Sequence, residues 1–309
     1  MPIRDRLLAS LVAVTWGLNF IAIHLSLEHF PPFFLVGLRF ALLAIPTLIF
    51  VPRPGVPVRW LLGYGFGFGV LQFAFLYLGM VSGMPTGLAS LVLQASAPFT
   101  VVLAAVFLRE RLTVRQVVGI SVAIGGLSLV AVHRSHVSAL LPVVLTLLAA
   151  LGWAFGNLCS RQAQPQSPLR LTLWMSVVPP LPMFALALVI EGPRDIWHSV
   201  ATMATAEAVP AVAGLAYTIV IGTVVGSGIW TTLMKRHPSS QVAPFSMLVP
   251  VVGLAASWLI LGERTPALEL VGGAVVVAGV LYASLTPKRR DRRRAGSPPA
   301  ATESAVPVA

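Results

Sequence analysis

Charge is scarce in this chain: Asp, Glu, Lys and Arg together make up 10% of its 309 residues, where a soluble domain carries about a quarter. A water-facing surface over most of its length is excluded. Acids are scarcer still, ten against 21 Lys and Arg, and none lies at mid-depth of a long apolar run. A carboxylate relay for protons has no carrier there. The single cysteine, Cys159, stands in an apolar segment, which excludes a disulfide framework and a cysteine-built metal site. No Ser–His or paired-Asp constellation occurs at depth, and every histidine except His24 falls in a connection. The residues therefore supply no catalytic machinery, and neither cofactor nor metal is expected.

Apolar residues fill the space that charge leaves, 57% of the total. Ten runs are long enough to cross a bilayer as helices. They are approximately Leu7–Leu27, Pro32–Val51, Trp60–Met80, Thr86–Phe107, Arg115–Val132, Ala139–Cys159, Arg170–Ile190, Ala208–Leu233, Ser239–Leu261 and Leu268–Leu285. The first is longer than a signal-peptide core and reads as a retained span. The net charge of +11 could suggest nucleic acid, but its placement argues otherwise. Six of the cations sit in Lys288–Arg294 and most others in short gaps between runs, the pattern of charge that orients helices in a membrane. The expected partners are a small-molecule substrate and the lipid bilayer, with no nucleic acid.

The stretch Met84–Arg111 recurs in altered form at His237–Arg264, 28 residues each without a gap. Pro85 falls on Pro238, Glu110 on Glu263 and Arg111 on Arg264, and the match runs on from Val118-Gly119 to Val271-Gly272 and from Gly126 to Gly279. A constant offset of 153 residues is an internal duplication. With the N-terminus inside, 17 Lys and Arg fall on the inner side and three on the outer, Arg39 lying within a span; both termini are then cytoplasmic. Five helices separate the two copies, so they run in opposite senses. The reading is an all-α polytopic membrane protein of ten transmembrane helices in two inverted five-helix repeats, residues 1–136 and 137–286. A disordered basic cytoplasmic tail follows at 287–309. Inverted repeats are the usual build of secondary transporters, with substrate near the midplane.

WGLNF at Trp16–Phe20, GLRF at Gly37–Phe40 and the GER ending at Gly262–Arg264 resemble the EamA-type drug/metabolite transporters. PPFFLVGLRF (Pro31–Phe40), QFAFLYLGM (Gln72–Met80), GMPTGLASLVLQASAPFT (Gly83–Thr100) and VAPFSMLVPVVGLAASWLILGER (Val242–Arg264) are most similar to the branch exporting O-acetylserine and cysteine. The likeness covers about residues 3–286. It implies a multi-pass protein of the bacterial inner membrane that exports small amino-acid metabolites by alternating access. The competing expectation is export of drugs or other amphipaths; an intramembrane enzyme or a pure scaffold fits less well.

Candidate substrate contacts are the polar and aromatic groups inside spans. Trp16 lies roughly 14 Å from the inner end of the first helix at 1.5 Å per residue, and Trp153 at a similar depth in the sixth. Membrane tryptophans favour the interface, so two at mid-depth need another reason. Asn19 and Asn157 follow them closely, and amides in hydrocarbon face protein or a wet cavity. Gln72, Tyr77, Gln94 and Ser96 are the next polar groups at depth. Gln94 stands four residues before Pro98, whose missing N–H leaves the Gln94 carbonyl free; Pro244 and Pro250 flank Ser246 in the same way. Interhelical hydrogen bonding and a packing kink are the alternative readings of these groups. Tyr217, Ser227 and Trp230 carry a weaker expectation. Arg39, the only charge well inside a span, reads as a structural element of GLRF, with attraction of a substrate carboxylate as the alternative. The glycines of Gly63–Gly69 begin a span with no strand before them, so they read as helix-packing positions and not a nucleotide loop.

Overall fold

This computed structural model describes residues 1–137 and 140–284, with backbone alone at 134–137, 239, 240 and 284; the tail expected at 287–309 lies outside them. The described chain is helical throughout, without a strand. Continuous Leu, Val and Ala runs with no polar alternation can satisfy their backbone in lipid only as helices.

Nine of the described helices are long and apolar enough to span a bilayer. They are α1 (Ile3–Leu27), α2 (Pro32–Phe50), α3 (Val58–Val81), α4 (Thr86–Phe107), α5 (Val114–Val137), α6 (Leu141–Ala163), α7 (Pro168–Glu191), α8 (Ala206–Arg236) and α9 (Ala243–Leu261). The tenth, α10 (Ala267–Ser284), is apolar but shorter. Most ends fall within a few residues of the expected ones. The α6 helix runs on past Cys159 through Ser160, Arg161 and Gln162, because polarity ends an apolar run without ending a helix. Gln164, left-handed at φ 45°, stops it. A capping box starts α5: the Thr113 N–H donates to Gln116 Oε1 at 2.9 Å and the Gln116 N–H to Thr113 Oγ1 at 3.3 Å.

Several helices depart from regular α geometry, and the departures have local causes. In α7 the chain turns at 176–179 before resuming at Pro180, where Pro179, Pro180 and Pro182 remove three backbone donors. Gly65–Gln72 of α3 is π-helical, and so is Thr218–Val225 of α8. The two segments lie at the same 153-residue offset as the sequence copies. In α8 the wider turn is tied by Thr223, whose hydroxyl donates to the Thr218 carbonyl at 2.9 Å, five residues back. Short 3-10 stretches interrupt the helix at Leu93–Ala95, within α4, and open α9 at Ala243–Met247.

Lipid has no reason to drive apolar helices together, so contact depends on close backbone approach. α3 and α6 meet through Gly67, Gly152 and Gly156: a Cβ on Gly67 would lie 2.7 Å from the Gly156 amide nitrogen and 2.9 Å from the Gly152 carbonyl. α5 and α10 meet through Gly119 against Gly279 and Gly126 against Gly272. Since 119 matches 272 and 126 matches 279 in the repeat, each contact is the counterpart of the other. Large side chains such as Phe50, Phe107, Val189 and Leu259 point outward, as a lipid-facing surface requires.

The α5–α10 seam yields a test. Gly126→Leu would drive a Cβ to 2.5 Å from the Gly272 carbonyl oxygen, whereas Gly125 has nothing within 4 Å. Overpacking of this kind costs about 1–3 kcal/mol, so Gly126→Leu is expected to lower the unfolding midpoint in detergent and Gly125→Leu to leave it unchanged.

Candidate functional site

Eight of the ten helices, all but α5 and α10, contribute side chains to one cavity of about 440 Å³. Trp16 and Asn19 enter it from α1. The Trp16 indole N–H donates to the Gly222 carbonyl at 2.9 Å, and its ring packs on Trp230 with centroids 5.2 Å apart. Gly222 is the fifth residue of the π segment in α8, where the ladder is widened and a carbonyl can turn toward a side chain. Asn19 stands beside the same residue, since a Cβ on Gly222 would lie 2.7 Å from Asn19 Oδ1.

Gln72 closes the π segment of α3 and faces the cavity, 4% exposed. Trp153 and Asn157 enter from α6. Trp153 meets Phe68 edge-on at 5.8 Å, and the Asn157 amide donates to Thr100 Oγ1 at 3.2 Å. From α4 come Gln94 and Ser96, both buried; from α9 comes Ser246. The Gln94 side-chain amide reaches across to the Ser246 carbonyl at 3.4 Å. Both ends of that bond lie in the 3-10 stretches. Ser96 accepts on its carbonyl from Thr100 Oγ1 at 2.6 Å, and Ser246 Oγ donates to the Ala243 carbonyl at 2.7 Å.

Of the nine side chains singled out in the sequence, eight therefore line one space, and Tyr77 does not. Tyr77 is 1% exposed and sits behind Arg39, whose Nη1 donates to its hydroxyl at 3.2 Å. Arg39 itself lines the cavity. Its Nη2 donates to Thr223 Oγ1 at 3.1 Å, and its Cζ lies 4.1 Å from the centre of the Phe73 ring. Ser227, Trp230 and Thr231 add a third turn of α8, and Tyr64 and Thr172 add hydroxyl-bearing residues from α3 and α7. Tyr217 lies elsewhere, donating to the Thr15 carbonyl at 3.1 Å. Among the described residues no cluster of His, Cys, Asp and Glu could hold a metal ion.

The ends of the repeated motif meet different surroundings. Glu263 accepts from the N–H groups of Thr86 at 2.9 Å and Gly87 at 3.1 Å, capping the start of α4. Beside it, His24 Nδ1 lies 3.2 Å from Thr86 Oγ1. Glu110, the counterpart of Glu263, is held instead by both terminal nitrogens of Arg161, at 3.2 and 2.5 Å. Ser90 to Gln94 of α4 are all buried, while none of their counterparts Ala243–Met247 is.

A bundle of membrane-length helices around a central polar-and-aromatic cavity defines a multi-pass membrane protein. The EamA-like transporter family profile matches residues 6–132 and 140–285, and the chain belongs to that family. It is 42% identical over 287 residues to a probable amino-acid metabolite efflux pump of Escherichia coli K12, covering 91% of this chain and 94% of that one. It is 30% identical over 304 residues to a probable terminal-alkyne amino-acid exporter of Streptantibioticus cattleyicolor, covering 94% and 95%. One solved crystal structure superposes with a TM-score of 0.58 at 17% identity over 92% of this chain and 97% of that one, a likeness of fold alone.

The cavity predicts a labelling pattern. In a Cys159→Ala background, Ser227→Cys faces the cavity, while Ala154→Cys replaces a fully buried residue beside Trp153. A charged, water-soluble methanethiosulfonate should modify the first and leave the second untouched, read by mass spectrometry.

Proposed function

We propose that this protein exports small amino-acid metabolites across the bacterial inner membrane by alternating access, cysteine- and O-acetylserine-like solutes being the favoured cargo. The observation that carries the reading is a central cavity into which α1 and α6 each bring a tryptophan and an amide, Trp16 with Asn19 and Trp153 with Asn157. Aromatic faces hold an apolar side chain, while amides and free carbonyls bond its polar head. A volume of about 440 Å³ is ample for a solute of that size. The names carried by the two curated relatives point the same way.

The alternating-access part rests on the duplication. Residues 1–136 and 137–286 act in this proposal as inverted halves of ten spans, both termini cytoplasmic. The starts of α4 and α9 then lie at opposite faces. A capped, fully buried α4 start beside a partly exposed α9 start supports a state closed outside and open inside. Exchange of those two environments would open the other face, with Glu110 leaving Arg161.

Metabolite profiling of medium with and without overexpression tests the cargo. Cysteine or O-acetylserine should accumulate outside, and Asn19→Ala or Asn157→Ala should each cut export about tenfold, the equivalent of one lost hydrogen bond of roughly 1–1.5 kcal/mol. Unchanged export by both variants would remove the amides from the site. Orientation is tested separately: alkaline phosphatase fused after Gly192 should be active, and fused after Gly55 inactive.

A further inference from the structure

A buried guanidinium ordinarily has a carboxylate beside it, because an unpaired charge in a low-dielectric interior costs several kcal/mol. Arg39 has none among the described residues. It is 5% exposed, and no ion pair among the described residues includes it. Four of the carboxylates are engaged elsewhere: Glu110 with Arg161, Glu191 on the Phe33 and Phe34 N–H groups, Glu263 on Thr86 and Gly87, and Asp5 with His237. What surrounds Arg39 is neutral. Two hydroxyls accept from its Nη atoms, and the Phe73 and Phe40 rings lie 4.1 and 5.2 Å from its Cζ. Ring faces and hydroxyls stabilise a cation in part without neutralising it. Its Nε–H has no hydrogen-bond partner among the described residues.

Three of the four buried side-chain polar atoms left unpartnered among the described residues belong to this cavity: Arg39 Nε, Asn19 Oδ1 and Gln72 Oε1. Asn19 and Gln72 are each linked to Arg39 through residues adjacent in sequence. Gly222, against which Asn19 Oδ1 stands, precedes Thr223, which accepts from Arg39; Gln72 precedes Phe73, over whose ring the guanidinium lies. One cationic donor and two carbonyl acceptors are the complement of a single head group, a carboxylate next to an ammonium.

We propose that Arg39 is the residue that binds the substrate carboxylate, with the Asn19 and Gln72 carbonyls accepting from its α-ammonium group, so that the cavity selects zwitterionic α-amino acids. The inference rests on the amino-acid exporter reading above and narrows it to one head group. Tyr77 and Thr223 act as positioning residues, fixing the guanidinium fork from behind. The substrate supplies the counter-charge that the protein omits, which makes binding favourable without a permanent ion pair to break on release.

The test uses the full-length protein in proteoliposomes with a panel of labelled amino acids that includes L-cysteine under reducing conditions. The best-transported member is then challenged with its own methyl ester, which lacks the carboxylate, and its own N-acetyl form, which lacks the ammonium. Each analogue should compete at least about tenfold more weakly than the parent, the loss expected for one charge-assisted contact. Equal competition by the ester overturns the assignment without any variant. Arg39→Met should lose transport about tenfold or more, and Arg39→Lys should raise KM more than it lowers kcat, because a point charge replaces the fork. Transport unchanged in a folded Arg39→Met protein overturns the role of Arg39; if that variant does not fold, Arg39→Lys and the ester decide. Absence of saturable flux for every amino acid in wild type overturns the exporter reading, and this inference with it, whereas flux that ignores Arg39 and the carboxylate overturns this inference alone.

Discussion

Inside a bilayer a peptide N–H or C=O has no water to bond to, so an unpaired backbone group is tolerated only against protein or in a wet cavity. That constraint explains both the uniformity of this chain and the places where uniformity fails. The described residues are helical from end to end, yet α3 and α8 widen to π turns at Gly65–Gln72 and Thr218–Val225, and α4 and α9 tighten to 3-10 at Leu93–Ala95 and Ala243–Met247. All four segments carry cavity-lining residues. The freed groups find partners across the space, as when Gly222 takes the Trp16 indole and Ser246 takes the Gln94 amide. Irregular backbone in these four segments thus lies around the cavity, where it can be satisfied.

Close packing elsewhere makes that concession affordable. Where α3 and α6 touch through Gly67, Gly152 and Gly156, and α5 and α10 through their paired glycines, the backbones approach until almost no side chain separates them. Dispersion over such a seam holds helices that lipid would not drive together. α5 and α10 take no part in the cavity; their mutual contact forms a seam apart from it. The glycine run 63–69 therefore has two uses. Gly67 brings α3 against α6, and the segment that starts at Gly65 delivers Gln72 to the interior.

Helix positions and the depth of polar groups were legible in the sequence, because length and hydropathy set them directly. Trp16, Asn19, Trp153 and Asn157 stood out as groups that hydrocarbon would not keep without a reason. The facing of each residue around its helix was harder to read. Hydropathy around these helices is nearly uniform, and a π turn inserts a residue that rotates everything beyond it by roughly 100°. Hence Tyr77, one turn past the π segment of α3, lies behind Arg39 and not in the cavity. Arg39 was weighed as a structural element, and it does hold Tyr77 and Thr223, but it also faces the solute space. No periodicity in GLRF tells those faces apart. The capping of α4 by Glu263 was likewise hidden, since the carboxylate and the amides it serves are separated by over 170 residues of chain.

The repeated motif bears on mechanism through what its two copies do differently. Positions matched at a 153-residue offset, identical at Pro85 and Pro238, Leu108 and Leu261, and in the Glu-Arg endings, meet unlike surroundings: Ser90–Gln94 sealed, Ala243–Met247 open, Glu263 on backbone amides, Glu110 on Arg161. A sequence optimised for a single environment would diverge until each copy suited only its own. In the alternating-access reading proposed above, retaining Pro and the Glu-Arg ending in both copies keeps each compatible with either surrounding, and the free-energy gap between the two arrangements is small. A gap of a few kcal/mol is what a bound solute can tip. In the proposed cycle the solute does so by bringing its carboxylate to Arg39, the one charge in the cavity that the protein leaves without a counter-ion among the described residues. A head group that neutralises the guanidinium lowers the cost of sealing it away from water on either side. The same unpaired charge that specifies the cargo is then the feature that couples its presence to closure.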